Sequence, residues 1–257
     1  MTKVIAVANQ KGGVGKTTTA INLGAALAEK DQRVLIIDFD PQGNASTGLG
    51  IDKEDREITT YDVLVDDMSA DSAILKTNTP NLWLLPATGD LSSADVDMTE
   101  EPHRLLRLKL GLERDDFSNA NYDVIFIDCP PSLSVLTLNA FAAADSVLVP
   151  LQAEFFALEG LTQLILTVRQ IRENLNPTLH ISSVVLTMMD SRNRLSAQVE
   201  ADAREHLGDL VFQTIIPRNV RLSEAPSFGI PAIEYDTNSR GAEAYRALAG
   251  EFLEKLG

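Results

Sequence analysis

The sequence predicts a doubly wound α/β fold: a mostly parallel β-sheet with helices on both faces. Three observations carry that expectation. Short runs rich in Val and Ile are apolar almost without interruption, as strands buried on both sides must be. Stretches of helical periodicity separate these runs. A glycine-rich segment joins the first run to the first helical stretch. Ligands of such sheets bind beyond the carboxyl ends of the strands, so the chemistry is sought there.

Residues 4–8 are the first expected strand and 17–29 the first helix. A second strand is expected at 34–37. The stretch 52–114 is the least regular; short helices and surface insertions are expected there, around a strand at 82–85. Strands are expected next at 124–127 and 147–149. A helix over 158–175 aligns Leu158, Leu161, Ile165, Val168, Ile171 and Leu175 on one stripe. A strand at 184–186, a helix over 196–207 and a strand at 211–216 come next. The last helix aligns Ala242, Tyr245, Leu248, Ala249 and Phe252. No linker, repeat or low-complexity segment interrupts this alternation, so residues 1–257 are expected to form a single domain.

Composition excludes several classes. Of 257 residues 44% are hydrophobic, enough to bury about 70–75% of the unfolded surface without a staple. One cysteine, Cys129, excludes an intramolecular disulfide framework and a multi-cysteine metal site within one chain. It reads as a buried thiol, not a nucleophile. His103, His180 and His206 have no ligand spacing. No run approaches the length of a membrane span, and the first residues lead straight into a strand. A cytoplasmic protein is expected. The net charge is −15, but residues 31–100 hold 15 acids against 4 bases. Residues 190–221 balance five arginines against five acids, which leaves room for a local basic patch in an acidic protein.

Lys11-Gly12-Gly13-Val14-Gly15-Lys16-Thr17 comes after the first strand and, with Thr18, opens the helix. Glycines let backbone N–H groups turn inward around phosphate oxygens, and the helix N-terminus favours the same anion. Lys16 is expected to reach the β- and γ-phosphates of ATP, and the Thr17 hydroxyl to ligate Mg²⁺. The segment therefore predicts a P-loop NTPase. It departs from the common pattern, because Gln10 stands where the first glycine is expected and Lys11 adds a second lysine. From inside its own loop Lys11 is badly placed to touch the phosphates, and could reach the nucleotide of a facing subunit.

The second strand runs into Asp38-Phe39-Asp40-Pro41-Gln42-Gly43-Asn44. Asp40 is the candidate for positioning, or taking a proton from, the attacking water. Asp38 is the candidate for orienting Lys16 or a metal-bound water. Val124-Ile125-Phe126-Ile127-Asp128 is a strand ending in an acid, and Asp128 is expected to hold Mg²⁺ through water. Pro130 and Pro131 stiffen the segment beyond that strand, which could then move as a unit when the γ-phosphate leaves.

These motifs, with Phe155-Phe156-Ala157-Leu158-Glu159-Gly160 and the run from Ile216-Pro217-Arg218-Asn219 to Ala225-Pro226, resemble the ParA/Soj chromosome-partitioning ATPases, in the deviant Walker A class that also contains MinD. Phe39 is bulkier than the family's usual residue there. The resemblance implies that ATP makes two chains sandwich two nucleotides, with Lys11 reaching across. It implies that this homodimer binds double-stranded DNA without sequence preference, on the nucleoid, until a ParB-type partner stimulates hydrolysis. Arg192 and Arg221 match arginines the family uses for DNA, and Arg218 is adjacent. Pro217 and Asn219 match the loop that holds adenine. Slow intrinsic turnover is expected of such a switch. Two alternatives share the chemistry: a ParA-like ATPase positioning another cargo, and a MinD-like membrane switch. The second needs a basic amphipathic C-terminal helix, whereas the last helix here carries Glu243, Glu251 and Glu254.

Overall fold

The computed structural model describes residues 2–114, 117, 121–154, 157–190 and 192–256. Among these, seven strands form one sheet: β1 (Lys3–Val7), β2 (Val34–Asp38), β3 (Leu75–Lys76), β4 (Leu82–Leu85), β5 (Val124–Asp128), β6 (Ser146–Gln152) and β7 (His180–Thr187). Their order across the sheet is β3-β4-β2-β5-β1-β6-β7. Every pairing is parallel except that of β3 with β4.

Side chains alternate between the faces of a strand, and here both faces are buried. In β2, Leu35 and Ile37 enter one core while Val34 and Ile36 enter the other. In β5, Ile125 and Ile127 are divided from Val124 and Phe126 in the same way. That is why these strands read as continuous apolar runs. Helices Lys16–Ala28 and Arg240–Leu256 cover one face, through Leu23, Leu27, Tyr245, Leu248 and Phe252. Helices Val135–Ala143 and Ala157–Asn174 cover the other, through Phe141, Leu161, Val168 and Ile171. Phe39 is fully buried, so its bulk enters the core and not the loop around Asp40.

Two expectations are corrected, and one strand is added. Residues 211–216 are not a strand: the segment meets β7 at its two ends, where the Phe212 and Ile216 N–H groups donate to the Val184 and Leu186 carbonyls at 2.9 and 2.8 Å, and only an isolated bridge, Val184 to Val211, joins them. The reason lies in its central amides. Gln213 and Thr214 donate their backbone N–H groups to the Glu251 carboxylate, at 2.6 and 2.9 Å, in place of a ladder partner. Ile165 does not lie on the buried stripe of its helix; it is 41% exposed, and Leu164 is buried instead. The seam runs at a three-four spacing from Leu161, which passes through Leu164 and Val168. β3 was not expected, being only two residues of edge strand.

The register fixes the site. Asp128 is the pairing partner of Val7 on one side and of Asp38 on the other. The two carboxylates therefore end adjacent strands side by side, level with the carboxyl end of β1.

Candidate functional site

The loop after β1 is built to face an anion. Gly13 and Gly15 have φ of 73° and 89°, a left-handed backbone that only glycine adopts without cost. No side chain caps helix Lys16–Ala28, because its N-cap position is Gly15. Its first-turn amides therefore open toward the cleft and complement negative charge. Val14 is buried as an anchor, and its carbonyl accepts the Thr187 hydroxyl at 2.8 Å. Asn9 braces the other side, donating to the Pro150 carbonyl and accepting the Lys11 N–H. The Lys16 ammonium curls back and donates to the Lys11 carbonyl at 3.1 Å. Burial holds Lys16 below its ordinary pKa, against the pull of Asp128 and Asp40.

The three acids have different surroundings. Asp38 is fully buried, and its Oδ2 accepts both the backbone N–H and the hydroxyl of Ser46, at 2.8 and 2.7 Å. Burial raises its pKa to about 6 in spite of these bonds. Its carboxylate thus ties its own loop to helix Asn44–Gly48. Asp40 is half-buried on that loop and accepts the Gln42 N–H at 2.9 Å. It lines a cleft of about 670 Å³ together with Gly12, Gly13, Lys16, Thr17, Pro130 and Pro131. Asp128 is fully buried, and among the described residues neither of its carboxylate oxygens has a partner at full hydrogen-bond geometry, although the Thr17 hydroxyl faces it. Burial and the Asp38 charge push its pKa well above the carboxylate range, while Thr17 and Lys16 oppose the shift.

A buried carboxylate without a partner is costly unless a cation completes it. Among the described residues no three acidic, thiol or imidazole groups converge on one point, so the chain offers no closed metal cage. Mg²⁺ needs none, since it binds through one or two carboxylates together with water and phosphate oxygens. The donor set around Asp128 and Thr17 fits that ion.

A second cavity, of about 460 Å³, adjoins the cleft. Thr18, Asn22, Thr47, Pro217, Arg218 and Asn219 are among its walls. Asn219 is fixed by accepting the Arg221 N–H at 2.8 Å, as the cap of helix Val220–Glu224. Sequence reasoning missed Met188, which lines both cavities, and Arg56. Buried Arg56 donates to the carbonyls of Ile51 and Ala87 and to the Thr47 hydroxyl, and so pins the loop beneath the second cavity. Neither belongs to a contiguous motif.

Lys11 does not point into its own cleft. Its ammonium pairs with Glu154 at 2.8 Å. The arginines expected to bind DNA are partly engaged within the chain. Arg192 grips Asp190 through two hydrogen bonds of 3.0 Å, which pull the Asp190 carboxyl down to about 2. Arg221 pairs with Glu224 at 2.8 Å and Asp236 at 3.1 Å. Arg218 is exposed and makes no ion pair with another described residue; it shares one groove with Arg192 and Arg240. Cys129 is buried, and burial pushes its thiol pKa up, as expected of an inert cysteine. Phe155 and Phe156 lie outside the described residues.

Residues 2–181 match the AAA domain family. The chain is 55% identical to the chromosome partitioning protein ParA of Caulobacter vibrioides, over 98% of this chain and 94% of that protein. It is 53% identical to the sporulation initiation inhibitor protein Soj of Bacillus subtilis, over 98% of each. Among solved structures, the cobyrinic acid a,c-diamide synthase of Mycobacterium smegmatis, with a bound ATP analogue and magnesium, superposes with a TM-score of 0.87 at 38% identity, covering 100% of this chain and 96% of that one. With more than half of its residues shared with a ParA and with a Soj protein along nearly its whole length, the chain belongs to the ParA/Soj family of chromosome-partitioning ATPases.

Proposed function

We propose that the chain is an ATP-dependent switch for chromosome segregation, using ATP and Mg²⁺. The observation that carries this reading is the orphaned Asp128 carboxylate beside Lys16 and Thr17, at the foot of a loop whose amides face the cleft. Lys11 to Thr18 cradle the phosphates, and Pro217 and Asn219 hold the base in the adjoining cavity. Thr17 and Asp128, with Asp38 behind them, hold Mg²⁺, which when bound neutralises charge on the phosphates. Asp40, half-buried and facing the cleft, orients the attacking water and accepts its proton. Turnover by the chain alone is slow, because a switch needs a persistent bound state.

The ATP-bound form is a homodimer, with Lys11 of each chain serving its partner's nucleotide. Pairing doubles a basic surface built on Arg192, Arg218 and Arg221, and two weak patches on one duplex gain by avidity. Double-stranded DNA is held without sequence preference, through salt-sensitive phosphate contacts. A ParB-type protein stimulates hydrolysis and releases the dimer. The protein acts in the cytoplasm on the nucleoid, and its 257 residues act as one domain.

A membrane switch fits less well. Helix Arg240–Leu256 spends its apolar residues Tyr245, Leu248 and Phe252 on the core, and no described helix is long and apolar enough to cross a membrane. The test is sedimentation of the purified chain with ATP, ADP or no nucleotide, with and without duplex DNA. Dimerisation and DNA retention that both require ATP support the reading. A monomer that holds DNA equally without nucleotide would sink it.

A further inference from the structure

Met188 stands out for its backbone. Among the described residues five non-glycines have a left-handed φ; four are Asp or Asn, which tolerate it, and the fifth is Met188 at 52°. A long side chain in that region costs free energy and persists only where its surroundings enforce it. Both flanks do so here. Thr187 ends β7 with its hydroxyl fastened to the Val14 carbonyl of the phosphate loop. Met189 donates its N–H to the Ile216 carbonyl and accepts the Arg218 N–H, at 3.1 and 3.0 Å. Between two fixed points the chain turns left-handed, and this lays the Met188 methyl over Gly15, 3.9 Å from where a Cβ would stand.

Met188 occupies the neck between the two cavities. Gly15, Thr17, Thr18, Asn44 and Met188 line both, and Met188 is the only long apolar side chain among the five. A ligand with its phosphates in one cavity and its base in the other has its sugar at the neck. The geometry points to Met188 as a nucleotide-contact residue whose thioether packs on the sugar of the bound nucleoside triphosphate, held there by a strained backbone. This rests on the nucleotide reading of the two cavities given above. A polarisable, unbranched side chain suits a surface that is part apolar and part hydroxylated.

The test compares wild-type, Met188→Ala, Met188→Leu and Met188→Gly by calorimetric titration with Mg²⁺–ATP and with inorganic triphosphate, which has neither sugar nor base. Met188→Ala is expected to weaken ATP about tenfold and to leave inorganic triphosphate unchanged. Met188→Leu keeps the bulk and is expected to stay within about threefold of wild-type for ATP. Met188→Gly relieves the left-handed strain; it should melt about 2–4 °C above Met188→Ala yet bind ATP no better. Equal ATP affinity of wild-type and Met188→Ala, or an equal loss for both ligands, overturns the sugar contact. A glycine variant melting no higher than the alanine variant overturns the strain. A wild-type chain that binds inorganic triphosphate and ATP equally well overturns this proposal but leaves the phosphate site standing. Binding neither overturns the nucleotide reading as well.

Discussion

The Lys11 ammonium lies 2.8 Å from the Glu154 carboxylate of the same chain, and so the extra lysine of the phosphate loop is held away from its own cleft. The side chains are 43% and 37% exposed, and a pair of that kind is worth about 0–1 kcal/mol. If Lys11 serves a partner's nucleotide, it must first leave Glu154. Glu154→Gln is expected to move the midpoint of ATP-dependent dimerisation to lower protein concentration, by up to about thirtyfold, because each dimer releases two such pairs. Analytical ultracentrifugation at fixed ATP and salt measures this. An unmoved midpoint means that the pair does not restrain Lys11.

Lys16 is the buried cation of the phosphate loop, and among the described residues no other lysine lines the cleft. Lys16→Ala is expected to abolish ATP binding by calorimetry while leaving the fold intact by circular dichroism. Unchanged affinity would remove Lys16 from the phosphate site.

Asp40→Ala should keep ATP binding and ATP-dependent dimers but lower turnover about 10²–10⁴-fold, the usual range for removal of a general base. The readout is phosphate release under saturating ATP, beside size-exclusion of the same sample. Normal phosphate release excludes the catalytic role.

Asp128 makes a prediction of opposite sign in the two ligation states. Burial raises its pKa, so the folded chain holds its proton more tightly than the unfolded chain. Without ligand, stability should therefore fall as pH rises toward neutrality and beyond. Asp128→Asn removes the buried charge. Its ligand-free melting temperature at neutral pH should exceed that of wild-type, by about 2–4 °C for each kcal/mol relieved. The stabilisation that wild-type gains from Mg²⁺ with ATP should disappear. Thermal unfolding with chelator, and with Mg²⁺–ATP, tests both. A less stable ligand-free variant would show that the carboxylate is satisfied without a cation.

Arg221 must exchange Glu224 and Asp236 for phosphate if it binds DNA. Arg221→Glu is expected to keep ATP-dependent dimerisation and release DNA. Glu224→Gln should strengthen DNA retention, because it frees the guanidinium from one partner. Removing one arginine–phosphate interaction per binding unit should reduce the slope of log affinity against log salt by about 1. Fluorescence anisotropy across a salt series measures these slopes. Wild-type retention by Arg221→Glu would place the DNA surface elsewhere.

Much of the fold was legible because its determinants are local. Val34 to Ile37 and Val124 to Ile127 are apolar throughout since the sheet buries both faces, and the phosphate loop is a contiguous run whose glycines answer to backbone sterics. The failures were tertiary. Residues 211–216 carry a strand's composition and bond to β7 at Phe212 and Ile216, but Glu251, on the last helix, takes the Gln213 and Thr214 amides between them and interrupts the ladder. Ile165 has the right periodicity for burial, yet the seam passes on the side of Leu164.

By itself the sequence determined the central strands, the long helices and the left-handed glycines of the loop after β1, because each is encoded by neighbours in the chain. Only the tertiary structure decided that Asp38 is tied to Ser46, that Asp128 is buried with no partner at full hydrogen-bond geometry among the described residues, that Lys11 meets Glu154 and that Met188 stands at the neck. Those relations depend on which strands lie side by side. A parallel sheet brings loops distant in sequence to one edge, and no local pattern records that meeting.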